Sequence, residues 1–167
     1  LRAIQGDRSA MLEAVKTLEE TWPEGILYAQ ALRQRMSIRN RPDDAEVLQE
    51  AQTWLALSGI EFDDLGVIDS VDPINTSYFR CCLNTAHVMA RLAKGQPGKY
   101  RFEGVHTYLK RQQDFAVSHG FVSWVVEIAI ARTLLYQAEA KKHEALETLE
   151  RALSAAPHTG HWRTFLD

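Results

Sequence analysis

The sequence predicts an all-α fold: a right-handed superhelical stack of tetratricopeptide-like helical hairpins. Three observations predict it. Apolar residues recur at helical spacing along most of the chain. Stretches alternating at strand period are almost lacking. The helical stretches come in pairs separated by short polar turns. Composition agrees: 167 residues, 46% hydrophobic, 25% charged, formal net charge −3. That is the length of a single domain, residues 1–167, able to bury a core without disulfides. The mild acidity argues against a dedicated nucleic-acid surface. The two cysteines are adjacent, Cys81 and Cys82. They exclude a disulfide scaffold and suit a reducing, cytoplasmic setting.

Met11, Leu12, Val15 and Leu18 form the first apolar stripe, between a turn at Gly6-Asp7 and Pro23. A second helix is expected from Glu24 to Ile38, with a turn at Arg39-Asn40. Val47, Leu48, Ala51, Trp54 and Leu55 mark the third, ahead of Gly59. Asp43 with Glu46 has the spacing of a capping box, and Pro42 precedes it. Ile60 to Asn75, bearing Gly, Asp and Pro, reads as a loop. The fourth helix runs from Ser77 to Lys94, with a turn at Gly95-Gln96 and a loop from Gln96 to Lys99.

Phe102, Val105, Leu109 and Ala116 stripe the fifth helix, which ends near Gly120. Phe121 to Ala138 is the most apolar stretch, interrupted by Glu127 and Arg132. Those charges mark a buried helix rather than a membrane span. After a turn at Ala140-Lys141, the residues Ala145, Leu146, Leu149, Ala152, Leu153 and Ala156 share one face of a seventh helix. Glu147 and Arg151 can pair along it, and Pro157 stops it.

The interval from Gly6 to Asn40 is 34 residues, the tetratricopeptide period. The later intervals, to Gly95 and to Ala140, would then hold insertions of roughly 21 and 11 residues. In the last unit Tyr136, Ala145, Ala152 and Pro157 stand at the repeat's spacings, with Thr133 where the pattern prefers Gly. The charged opening stretch, with Arg2, Asp7 and Arg8, is not a signal peptide. The start at Leu1 and the abrupt end at Asp167 suggest a piece of a longer protein.

No residue set carries a catalytic constellation, so no enzyme is expected. Cys81 and Cys82 point about 100° apart on a helix and read as small buried residues. His87 is not placed to act as a base for Cys82. His158 and His161 read as a solvated tail rather than a zinc site. Asp63, Asp64, Asp69 and Asp72 make an acidic loop without the calcium-loop spacing. Metal and cofactor are both expected to be none.

Three stretches carry a resemblance. They are Ala51-Gln-Thr-Trp-Leu-Ala-Leu-Ser-Gly-Ile-Glu-Phe-Asp-Asp64, then Phe79 through Ala86-His-Val-Met-Ala-Arg-Leu-Ala-Lys-Gly95, then Val126 to Leu153 with Arg163-Thr-Phe-Leu-Asp167. In this order they resemble the tetratricopeptide-like sensor region of large ATP-dependent LuxR-type transcriptional activators, the group of the maltose-regulon activator. The resemblance covers about residues 45–167. It implies a nucleotide-binding switch module upstream and a helix-turn-helix DNA-binding domain downstream. This chain has no phosphate-binding loop. ATP would therefore bind only in the upstream module, and this segment would contact no nucleic acid and no membrane.

In stacked hairpins the first helix of each pair lines a concave face. In-phase alignment puts Gln30 and Gln34, then Cys82, Thr85 and Met89, then Glu127, Ile130 and Leu134 toward that groove; Trp124, otherwise a core residue, is a further candidate for ligand contact. Such a mixture suits a small ligand or a peptide. The alternative is inter-repeat core, above all for Ile130 and Leu134. The expected partners are a small-molecule inducer or a regulatory protein, other domains of the same chain, and a second copy in self-association. The rival reading is a stand-alone scaffold that binds a partner's peptide.

Overall fold

The computed structural model describes residues 2–22, 25–62, 73–94, 96 and 98–155. Among them are seven helices and no strand. They are α1 (Arg2–Thr21), α2 (Ile26–Asn40), α3 (Ala45–Leu57), α4 (Pro73–Leu92), α5 (Glu103–Ser118), α6 (Val122–Ala138) and α7 (Lys142–Ala155). The fold is all-helical, as the periodicity predicts. No described helix is long and apolar enough to cross a membrane. The chain divides into two compact units. The first takes the described residues up to Ile60, with α4 as far as Val88; the second takes Glu61, Phe62 and the described residues from Met89 on.

In the first unit α2 packs against both α1 and α3. Val15 of α1 meets Ala29 and Met36 of α2, and Leu12, Leu18 and Leu32 close around them. Gly6-Asp7 is not a turn, because α1 runs through it. One glycine costs about 1 kcal/mol in a helix interior, and no proline follows until the helix has ended. The 34-residue interval measured from Gly6 therefore does not begin at a hairpin boundary. The break comes instead at Trp22, whose ring lies so close to Gly25 that a Cβ there would sit 2.0 Å from it. Any larger residue would push the ring off and reopen the corner between α1 and α2.

The cap of α3 is Asp44 rather than Asp43. Asp44 has an extended backbone and accepts from the amides of Glu46 (3.0 Å) and Val47 (3.2 Å). These bonds satisfy two of the amides that a helix start leaves open. Val47 and Ala51 are buried, while Leu48, Trp54 and Leu55 of the same stripe are half-buried.

On α4, residues 81–86 are all buried, more than a full turn of the helix. It starts at Pro73, inside the stretch read as a loop, with Pro suited to a first helical turn. Asn84 is held at both ends of its amide. Its Oδ1 accepts from Arg35 of α2 (2.9 Å) and its Nδ2 donates to the Arg80 carbonyl (2.9 Å). Burial pushes the Cys81 thiol up to about 11, which keeps it protonated at neutral pH and suits a packing role.

In the second unit α6 packs against α5 and α7. Val105, Tyr108, Leu109, Gln112 and Ala116 form the buried face of α5, as its stripe predicts. Phe62 meets Tyr108 edge to face, with ring centroids 5.6 Å apart. Because α6 has a helix on two sides, its buried set of Val126, Ile128, Ala129, Ala131, Thr133 and Leu135 covers more than one face. That explains an apolar run with little periodicity.

Both turns of this unit have one geometry. The Phe121 amide donates to Ala116 (2.8 Å) and Gly120 to Val117 (3.2 Å); Lys141 donates to Tyr136 (2.9 Å) and Ala140 to Gln137 (3.1 Å). Each is a six-to-one bond with a shorter one inside it, the Schellman helix ending, which needs a left-handed residue at its centre. Gly120 (φ 70°) supplies it once and Ala140 (φ 60°) the second time.

The seventh stripe is only half interior. Ala145 and Ala152 are buried, whereas Leu146 and Leu153 are exposed, Leu146 by 56%. The Glu147–Arg151 pair forms as expected. Ala156, Pro157, His158 and His161 lie outside the described residues, as do Asp63, Asp64, Asp69 and Asp72.

Candidate functional site

A cleft of about 190 Å³ lies wholly within the second unit. One wall comes from the end of α4 and the connection after it: Ala93, Gln96, Gly98 and Tyr100. The other wall is the turn between α6 and α7, with Ala138, Glu139 and Lys141. Phe102, buried and stacked on Tyr100 with ring centroids 6.3 Å apart, backs it.

The turn explains why two opposite charges share one wall. The left-handed Ala140 reverses the chain between Glu139 and Lys141. Lys141 Nζ then donates to Glu139 Oε1 (3.0 Å), and His106 Nε2 of α5 donates to Glu139 Oε2 (2.8 Å). Both carboxylate oxygens are thus fixed from different directions. Glu139 is largely covered, while Lys141 is half exposed. The bond to Glu139 raises the Lys141 pKa, so the ammonium stays charged across the neutral range.

His106 is held neutral. Burial lowers its pKa, the bond to Glu139 opposes this, and the Arg132 and Lys141 charges add to the lowering. The contact with Glu139 is therefore a neutral imidazole donating to a carboxylate, and Nδ1 keeps a bare lone pair, buried without a partner. The imidazole lies flat on Tyr136, centroids 4.3 Å apart. Arg132 sits over the same Tyr136 ring, donates to its hydroxyl (3.1 Å) and reaches Gln113 of α5 (2.7 Å). A chain of contacts thus runs from Gln113 through Arg132 to Tyr136 by hydrogen bonds, across the ring stack to His106, and on by hydrogen bonds to Glu139 and Lys141. It fixes the cleft's charged wall to α5.

The groove residues expected from repeat geometry take other places. In the first unit Gln34 is buried, its amide donating to Glu50 Oε1 (3.1 Å), and half-buried Gln30 accepts from Trp54 Nε1 (3.4 Å). Cys82 and Thr85 are core residues, and the Thr85 hydroxyl bonds back to the Cys81 carbonyl (2.9 Å). Gln34, Cys82 and Thr85 are thus covered by the surrounding helices, and Gln34 Oε1 is buried without a hydrogen-bond partner. In the second unit Met89, Trp124, Glu127 and Ile130 are half-buried and Leu134 is at the surface. Trp124 belongs to an aromatic cluster with Phe121, whose ring it meets at 5.3 Å.

No sequence motif marks the cleft's charged wall. Glu139 and His106 are 33 residues apart, and no short motif joins them. Ala140-Lys141 reads only as a turn, and Tyr136 only as a repeat position. Among the described residues no group of His, Cys, Asp and Glu could hold a metal ion. The chain matches no protein-family model, no curated protein and no solved structure.

Proposed function

We propose that the chain is the helical-repeat sensor segment of an ATP-dependent LuxR-type transcriptional regulator, built as a right-handed tetratricopeptide-like stack. It performs no chemistry itself. It binds a small-molecule inducer or a regulatory protein in the cytoplasm, and the bound form favours one state of the longer protein. Such a shift is limited to the ligand's differential affinity for the two states.

The observation that carries this reading is the repeated hairpin. Among the described residues α1–α2, α2–α3, α5–α6 and α6–α7 pack as chain neighbours, as in solenoids. The α6–α7 hairpin has 34 described residues, Val122 to Ala155, room for one tetratricopeptide unit. The starts of α2, α4 and α6, at Ile26, Pro73 and Val122, lie farther apart than that, so the extra length falls in the connections. The Trp54-Leu55…Ser58-Gly59 and Ala90-Arg91…Ala93-Lys94-Gly95 stretches supply the resemblance to this regulator group.

A free-standing peptide-binding scaffold is the second reading, favoured by the exposed Leu146 and Leu153 of α7. A stability screen separates the two. A sensor gains thermal stability from a metabolite, by RT ln(1 + [L]/Kd). Stabilisation by peptides alone overturns the sensor reading.

A further inference from the structure

We propose that the cleft between the α4–α5 connection and the α6–α7 turn binds a small amino acid, its ammonium group on Glu139 and its carboxylate on Lys141. This deepens the sensor reading, on which it rests only for the purpose of the binding, by naming the class of molecule sensed.

Charge sign selects the guest. Glu139 and Lys141 stand 3.0 Å apart on one wall. A simple anion entering there gains Lys141 and meets Glu139; a simple cation gains Glu139 and meets Lys141. A molecule with its two charged groups on one carbon can set each nearer to the opposite sign and gain both. The hydrogen-bond inventory allows it. Each Glu139 oxygen accepts one bond in the structure and has capacity for another, and the Lys141 ammonium has three donors with one given to Glu139. Lys99, whose Nζ lies 5.6 Å from the Tyr100 ring centroid, adds positive charge beside that ring.

Size and rigidity point the same way. At about 190 Å³ the cleft is below the ~300 Å³ at which drug-sized ligand sites begin, so the guest is a handful of heavy atoms. Ala93 and Ala138 leave room for a methyl or hydroxymethyl side chain. The charged wall is fixed before any ligand arrives, because His106 pins one Glu139 oxygen. It is also held by a non-glycine residue in a left-handed conformation, Ala140. Strain of that kind concentrates at binding and catalytic sites.

The test is an amide-shift titration of the whole ¹⁵N-labelled chain with L-alanine, L-serine and glycine. Propionate, ethylamine and glycerol serve as the one-charge and no-charge probes. The expected result is saturable shifts centred on Gly98, Tyr100, Glu139 and Lys141 with a Kd of about 1 mM or below. At least one amino acid should bind about tenfold more tightly than all three comparison probes. Glu139→Gln and Lys141→Met should each weaken it by a further factor of about ten. Lys141 is half exposed, so its substitution keeps the test decisive even where Glu139→Gln fails to fold. No saturation by any amino acid up to about 10 mM, equal binding of a comparison probe, or unchanged binding to Lys141→Met overturns the proposal. That failure is read at this cleft alone, and it leaves the sensor reading to its own metabolite screen.

Discussion

Acidification should weaken the fold well before its carboxylates titrate, and two histidines set the size of the effect. His87 on α4 is held neutral by burial and then by the Arg35 charge, with its pKa well below the ordinary 6.5. His106 on α5 is lowered by burial, with Glu139 opposing. A depressed histidine pKa means that the unfolded chain binds protons the folded chain refuses. Stability therefore rises with pH in this window. The contribution is whole above about pH 6.5 and is lost as pH falls through that value. An imidazole that stays neutral in the fold loses about 1 kcal/mol between pH 7 and pH 5.5. His87 should lose nearly all of that and His106 a smaller part. The expected fall is about 1–2 kcal/mol, read from urea unfolding at constant ionic strength. His87→Gln should remove most of the slope and His106→Gln the remainder. Stability that is flat or rises toward pH 5.5, or a slope untouched by both substitutions, refutes the assignment of neutral, covered imidazoles.

Other outcomes follow from the packing and the turns. Ala140→Gly should stabilise by about 0.5–1 kcal/mol, since glycine carries no penalty at φ 60°. Gly120→Ala should destabilise by about 1 kcal/mol through backbone strain alone, because no atom lies within 4 Å of an added Cβ. Both are measurable by thermal melting. Asp44→Ala removes two amide acceptors from the start of α3 and should cost about 1 kcal/mol in denaturant unfolding. Leu135→Ala empties a fully buried site on α6 and should cost about 2–5 kcal/mol.

The helices were legible where one stripe meets one neighbour. Phe102, Val105, Leu109 and Ala116 are all buried, as their spacing predicts. The stripe of α7 misleads because alanine and leucine count alike in periodicity. The two alanines pack inward and Leu146 and Leu153 do not. Asp43 and Asp44 are equivalent in composition, and only the backbone angles at Asp44 select the cap. Gly120 announces its turn, whereas Ala140 adopts the same geometry with no residue-type signal. Helical spacing places Cys82 and Thr85 on α4 but carries no sign that both are covered. The cleft was hidden for a different reason. His106, Tyr136 and Glu139 come together only when α5 packs on α6, and no local pattern encodes that meeting.

The central claim, a sensor segment of an ATP-dependent regulator, is tested most directly by reading the coding sequence on both sides of this segment. The expected finding is a Gly-rich Lys-Ser/Thr phosphate loop upstream and a helix-turn-helix within roughly a hundred residues downstream. A start codon directly before Leu1 and a stop codon directly after Asp167 would contradict it, leaving a free-standing helical scaffold.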